Sequence, residues 1–154
     1  MTFDRFASIP LGVNKNVLEE NYGSFKTEMT NPNVPGETYW ILRDPRTGYQ
    51  KAALTFDDRT QSLVTKLWVV GAEEAEQEPE TARKRFKTAH FILIDLPSDN
   101  PHLLYGEKLL VDEKNGITIE IDRDRSEVSA IQWRDPAYRS PARDLGDQKS
   151  QYTF

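Results

Sequence analysis

The chain has no cysteine, which excludes disulfide staples, thiolate nucleophiles and Cys-based zinc sites together. That absence does not place the protein, because a domain with a sufficient core needs no disulfide in either a reducing or an oxidising compartment. Histidine is nearly absent too. His90 and His102 are the only two, and their spacing is not that of a His-x-x-x-His ligand pair. With eight glycines the chain contains no Gly-x-x-x-x-Gly-Lys, no Gly-x-Gly-x-x-Gly and no Gly-x-Ser-x-Gly, so a phosphate cradle, a dinucleotide fingerprint and a nucleophile elbow all lack a seat. These gaps predict no cofactor and no metal. Positive charge is not in excess either. The formal net charge is −5, and short basic clusters such as Arg83-Lys84-Arg85 sit beside acids, so nucleic acid is not an expected partner. The longest apolar run, Phe91 to Leu96, is interrupted by Asp95 and is far too short to span a bilayer. Thr2 to Asp4 offer no apolar signal-peptide segment.

What the chain does have is length and aromatic residues. Its 154 residues suffice for about one domain burying roughly two thirds of its unfolded surface. Three Trp, seven Phe and six Tyr give it too much apolar ring area for a disordered chain. Part of the pattern occurs twice. Leu54-Thr55-Phe56-Asp57, a polar turn, then Leu63 and Trp68 are echoed 65 positions on by Ile119-Glu120-Ile121-Asp122, a polar turn, then Val128 and Trp133. Internal periodicity of this kind constrains a fold more than local propensity does.

The segments are read in chain order. Asn14 is placed to cap a helix carrying Val17, Leu18 and Tyr22, and Gly23 to end it. Asn31, Pro32, Pro35 and Gly36 make Glu28 to Glu37 a loop. Strands follow at Tyr39 to Leu42, Tyr49 to Phe56 and Leu63 to Val70, with Asp44-Pro45 and a left-handed Gly48 turning the first hairpin. Five glutamates dominate 71–80, an acidic linker. Thr81 to Ala89 reads as a short basic helix, and strands are expected at Phe91 to Leu96, Leu103 to Val111, Ile117 to Ile121 and Val128 to Trp133, with Asn115-Gly116 at a tight turn. The expected architecture is therefore α+β: an antiparallel sheet with helices packed on one face, arranged as two helix-plus-three-strand halves over 1–70 and 81–134, and a loosely held tail over 135–154.

Candidate chemistry is sparse. Asp57-Asp58, Asp112-Glu113 and Asp122 with Asp124 are adjacent acids at strand ends, where Asp side chains commonly bond turn backbone. The run from Asp122 begins like a calcium loop but lacks the sixth-position Gly and twelfth-position acid. An enzyme or ligand-binding alternative, with a pocket between sheet and helices, would draw on His90, His102, Asp57 and Asp122. The aromatic residues point elsewhere. Tyr39, Trp40, Tyr49, Trp68 and Trp133 fall on expected strands, and alternation puts Tyr39 and Trp40 on opposite faces. Exposed Tyr and Trp on a sheet are favoured anchors for a protein partner, so these five are the candidate interface. In the tail, Tyr138, Tyr152 and Phe154 are further candidate anchors.

The first half resembles the small domain of the SmpA/OmlA lipoproteins, the BamE type, and of the β-lactamase inhibitor proteins. The residues that carry this are Ile9-Pro10-Leu11-Gly12-Val13-Asn14, a helix with Val17 and Leu18, Tyr22-Gly23, the Tyr39-Trp40 strand, Leu54-Thr55-Phe56-Asp57 and a last strand from Leu63. The stretch departs from that family in having Ser24-Phe25 where a proline follows the closing Gly, and the inhibitor proteins carry disulfides that this chain cannot form. The resemblance implies a binding protein, often exported to the bacterial envelope, that presents a sheet face to a protein partner. Without it the expected compartment is the cytoplasm.

Overall fold

A computed structural model describes residues 1–96 and 108–139. The N-terminal segment forms two short helices, each opened by a capping side chain. Thr2 Oγ1 accepts from the Arg5 N–H at 3.2 Å to begin α1 (Phe3–Ala7), and Asn14 Oδ1 accepts from the Asn16 N–H at 2.9 Å to begin α2 (Lys15–Tyr22). Leu18 and Tyr22, four residues apart, are the buried positions of α2, and the helix ends at Gly23 as the sequence predicts. Gly23 keeps right-handed backbone angles, however, so it ends the helix without a left-handed turn.

Eight strands form one open antiparallel sheet. They are β1 (Lys26–Thr30), β2 (Glu37–Arg43), β3 (Gln50–Asp57), β4 (Ser62–Val69), β5 (Ile92–Asp95), β6 (Lys108–Asp112), β7 (Ile117–Asp122) and β8 (Glu127–Arg134). The order is β1-β2-β3-β4-β8-β7-β6-β5. Each half of the chain is thus a four-strand meander, and β4 pairs with β8 to join the two. A 3-10 turn at Ala75–Gln77 and α3 (Pro79–Lys84) occupy the crossing between the halves. The first half has one strand more than the sequence predicts. The extra strand is β1, whose Glu28–Thr30 falls at the start of the stretch the sequence marks as loop; the loop residues Asn31 to Gly36 lie after it, and pairing with β2 makes Lys26–Thr30 a strand. The acidic stretch from Gly71 is not a bare linker either, since Glu74 and Glu76 are drawn into contacts described below. The Asn115-Gly116 turn is longer than a two-residue hairpin. Asp112 pairs with Ile117 around four residues, and Gly116 sits at φ 70° with its carbonyl accepting from the Arg134 N–H at 2.7 Å. Any Cβ there would lie 1.9 Å from the Arg134 carbonyl oxygen, so only glycine fits.

The echo seen in the sequence has a geometric counterpart in two hairpins. In β3–β4 the register slips between Thr55 and Phe56, leaving Val64 as the extra residue; in β7–β8 it slips between Glu120 and Ile121, leaving Ser129. Both hairpins turn through a left-handed non-glycine residue, Gln61 at φ 58° and Ser126 at φ 54°. In both, the N–H of that residue donates to the Asp carbonyl four positions back, Gln61 to Asp57 at 2.7 Å and Ser126 to Asp122 at 2.8 Å. At the junction, the Val70 N–H donates to Ser129 O at 3.1 Å and the Asp135 N–H to Val64 O at 2.9 Å. Every member of these pairs is 65 residues from its counterpart. Leu67 pairs with Gln132, itself 65 positions on.

Cross-strand partners share a face, which identifies the buried side of the sheet. Leu42, Ala52, Trp68, Ile131 and Ile119 form one buried row, and Trp40, Leu54, Lys66 and Trp133 the next. α1 lies over both rows. Phe3 and Phe6 each contact both Trp68 and Trp133, with ring centroids 5.2 to 6.0 Å apart. Phe86, just after α3, stands 5.9 Å from Trp133 and 6.0 Å from Phe91. Such ring pairs contribute about 0.5–1.5 kcal/mol each beyond area burial. Leu96, Leu109 and Val111 form a separate small cluster; Leu109 and Val111 flank the inward Leu110 on β6 and therefore face the other side.

Lys66 is the exception within the core. It is 2 % exposed, and its ammonium donates to the carbonyls of Phe6 at 3.1 Å, Ala7 at 2.7 Å and Ile9 at 2.7 Å. It also lies 4.6 Å from the Trp133 ring centroid. The three carbonyls belong to the end of α1 and the turn after it, where helix C-terminal oxygens lack intrahelical donors. Lys66 thus satisfies the exit of α1 and ties it to the sheet. Burial with no carboxylate beside it pushes the Lys66 amine down to about 8.

Candidate functional site

The five aromatic residues proposed as an interface do not form one. Trp40 is 0 % exposed, against Phe56 at 4.8 Å and with its indole N–H donating to Glu28 Oε1 at 3.0 Å. Trp68 and Trp133 are buried beneath Phe3 and Phe6. Tyr39 is half-buried on the opposite face, and its hydroxyl donates to Glu37 Oε1 at 2.7 Å. Burial and this carboxylate raise its pKa well above the ordinary tyrosine value. Tyr49 alone is broadly exposed, and it stands in the loop before β3 rather than on a strand. The alternation of Tyr39 and Trp40 is as expected. Which face would be covered was decided by α1, so the three tryptophans have no surface for a partner that leaves the core intact.

The acid and histidine candidates are likewise apart. Asp57 accepts from the Arg59 N–H at 3.2 Å and pairs with the Arg59 guanidinium at 3.6 Å. Asp122 accepts from the Asp124 and Arg125 N–H groups at 2.9 and 3.4 Å. These are turn bonds, and because β4 and β8 run antiparallel the two turns lie at opposite ends of the sheet. The His90 backbone N–H donates to Asp112 Oδ2 at 3.2 Å. His102, Tyr152 and Phe154 lie outside the described residues. No group of three or more His, Asp or Glu side chains able to hold a metal ion occurs among the described residues. The start of the tail is held rather than loose: the Tyr138 hydroxyl donates to Glu37 Oε2 at 2.6 Å, so one buried carboxylate receives two tyrosines.

Two features remain that sequence reading did not single out. The first is the outer edge formed by β5. Its pairs Ile92–Val111 and Leu93–Leu110 bind it to β6, the one strand it pairs with among the described residues, and Ile92 and Leu93 are 68 % and 57 % exposed. Alternation points these two side chains to opposite faces, so both flanks of the edge are apolar. At one end, Asp95 pairs with Arg123, whose guanidinium also donates to the Leu96 carbonyl at 2.8 Å. The signal in the sequence was the run Phe91 to Leu96, which predicted the strand but not its exposure. A continuous apolar run ordinarily marks a strand covered on both faces.

The second is a cleft of about 660 Å³ between α1, the β2–β3 loop and the 3-10 turn. A register slip after Leu42 leaves Lys51 without a partner on β2, and this residue turns to the cleft floor. Its ammonium lies 4.4 Å from the Trp68 ring centroid, donates to Val69 O at 2.9 Å and pairs with Glu74. Glu74 further accepts from the Trp68 indole N–H at 2.8 Å and the Gly71 N–H at 3.0 Å. Desolvation lowers the Lys51 pKa. On one wall Arg85 joins Asp4 at 3.2 Å and Glu76 at 2.7 Å, 5.6 Å from the Phe3 ring. On the other, Arg43 ends β2 beside the exposed Phe25.

No helix among the described residues is long and apolar enough to cross a membrane. No protein-family model matches the chain, and comparison with curated proteins and with solved structures likewise returned no match.

Proposed function

We propose that this protein is a non-enzymatic protein-interaction module that receives an extended segment of its partner along β5. The observation that carries this reading is the exposure of Ile92 and Leu93 on a strand with one edge unpaired among the described residues. Such an edge offers backbone donors and acceptors for an added strand, and flanking apolar side chains supply the contact area. The partner segment is apolar with basic flanks. A net charge of −5 favours cationic over anionic partners and works against pairing with a second copy. The matched bulges, turns and junction hydrogen bonds at 65-residue spacing support a further reading, that the chain is a tandem pair of helix-and-meander units with its helices on one face. Likeness of the first half to the SmpA/OmlA and β-lactamase inhibitor domains also favours a binding role.

The test is site-specific photo-crosslinking in the source cell from position 93, with position 17 on exposed α2 as control. A protein captured at 93 and not at 17 is then purified and titrated against the wild type and an Ile92→Lys, Leu93→Lys variant. A tenfold or greater loss of affinity in the variant supports the reading. Capture of the chain by itself, no capture, or unchanged affinity would sink it.

A further inference from the structure

We infer that the cleft over Lys51 and Trp68 is a second, independent site, which binds a carboxylate carried on a flat apolar group. Its size lies within the range of small-ligand pockets, about 300–1,000 Å³. The charges in its walls decide what it takes. Each carboxylate in the lining is already committed: Glu74 to Lys51, the Trp68 indole and the Gly71 N–H; Glu76 and Asp4 to one shared Arg85; and Asp44 to the Arg46 N–H at 2.8 Å. Among the described residues one cation is not: the Arg43 guanidinium has a single hydrogen bond, from Nη1 to Gly48 O at 3.2 Å, and no ion pair. A guanidinium has five N–H donors in a planar fork, so Arg43 retains the bidentate face that a carboxylate fits. Arg46, almost fully exposed and 3.8 Å from Asp44, adds positive charge at the rim.

The apolar side of the site is Phe25, which lines the cleft and is broadly exposed at the start of β1. The Arg43 N–H donates to Phe25 O at 3.3 Å, which fixes the ring and the guanidinium on adjoining backbone. Phe25 thus offers a face to an aromatic or aliphatic body while Arg43 holds its anionic end. Two kinds of molecule present that chemistry, a small aryl carboxylic acid and the C-terminal residue of a peptide ending in Phe. A cation would meet no uncommitted acid among the described residues of the lining.

Three probes distinguish the outcomes by amide chemical-shift titration: phenylacetate, the peptide Ala-Ala-Phe with a free carboxylate, and the same peptide amidated. The expected result is saturable shifts confined to Phe25, Arg43 and their neighbours with one or both acids. Arg43→Gln should weaken binding at least fivefold, with Arg43→Lys between the two, while unchanged dispersion elsewhere shows the fold intact. Binding of phenylacetate alone identifies a small acid, and binding of the peptide acid alone a chain end. Equal binding of the amide, or no saturable shift with either acid at millimolar concentration, overturns the inference. Because position 43 is on β2 and the partner edge is β5, either site can fail without the other.

Discussion

β1 and β5 are the two outer strands of one sheet, each pairing antiparallel with the strand that follows it, and they guard their edges in opposite ways. β1 carries charge. Lys26 pairs with Glu19 at 2.6 Å and lies 4.3 Å from the Trp40 ring, and Glu28 takes Lys15 at 2.6 Å together with the Trp40 indole N–H. These bonds, that from Lys15 first, hold the Glu28 carboxyl below its usual range. An added strand would have to leave those pairs in place and find charged flanks. β5 offers Ile92 and Leu93 instead. The difference teaches that two meanders of similar topology can treat their outer edges differently: one ends in a strand of paired charges, the other in a strand with exposed apolar flanks.

The strongest break in this comparison is expected at the core residues the halves share. Trp68→Ala and Trp133→Ala occupy echo positions beneath the same two phenylalanines, and each should lose about 3–5 kcal/mol of stability. Chemical denaturation of both variants measures it. A loss near zero for one alone would show that the halves do not share a core.

Next in size is Lys66, whose echo position holds Ile131. Lys66→Met preserves much of the volume but leaves three carbonyls without their donor, a cost of about 2 kcal/mol. Its pH signature follows from the lowered pKa. Between about 8 and 10.5 the unfolded chain retains a proton on Lys66 that the folded one has released, so this residue's contribution to stability rises with pH. Tyr39 and Tyr138, both raised, work the other way once pH passes their ordinary 10.0, because the unfolded chain then loses protons that the folded one keeps. Denaturation midpoints from pH 8 to 10 should therefore climb more in the wild type than in Lys66→Met. Parallel slopes would refute the assignment.

At the edges the expected effect is on binding alone. Ile92→Lys with Leu93→Lys should leave stability within about 0.5 kcal/mol, since the side chains are exposed, while weakening a strand-adding partner by about 1.4 kcal/mol or more. The smallest effect tests the matched turns. Gln61→Gly and Ser126→Gly relieve left-handed side-chain backbones and should each stabilise by about 0.5–1 kcal/mol, with similar values for both. Thermal melts of the pair sharpen or dissolve the likeness of the two hairpins.

Local rules were legible where a residue acts on its own neighbours. Asn14 caps α2, Gly48 takes its left-handed turn and Asp57 and Asp122 bond their own turns, because those bonds span four residues or fewer. Hydropathy failed where a distant element intervened. On β4 the alternation puts apolar residues on both faces, which fits its central place between β3 and β8 but does not say what covers either face. The face carrying Lys66 and Trp68 is buried because α1 and the turn after it supply three carbonyls for the ammonium and two rings for Trp68. The same burial withdrew three of the five aromatic candidates from the surface. Neither the β5 edge nor the Arg43 cleft had a local signal, because one is defined by the strand it does not pair with and the other by segments from three parts of the chain.

The sequence by itself determined every strand but β1, the helix after Asn14, the position of the hairpins and their 65-residue echo, because alternation, caps and turn residues act through bonds close along the chain. Tertiary structure alone decided that the halves join through β4 and β8, which face is covered, and which apolar residues remain outside. Those outcomes depend on pairings across 50 residues or more, such as Lys66 to Ala7 and Val70 to Ser129, whose partners no local pattern names.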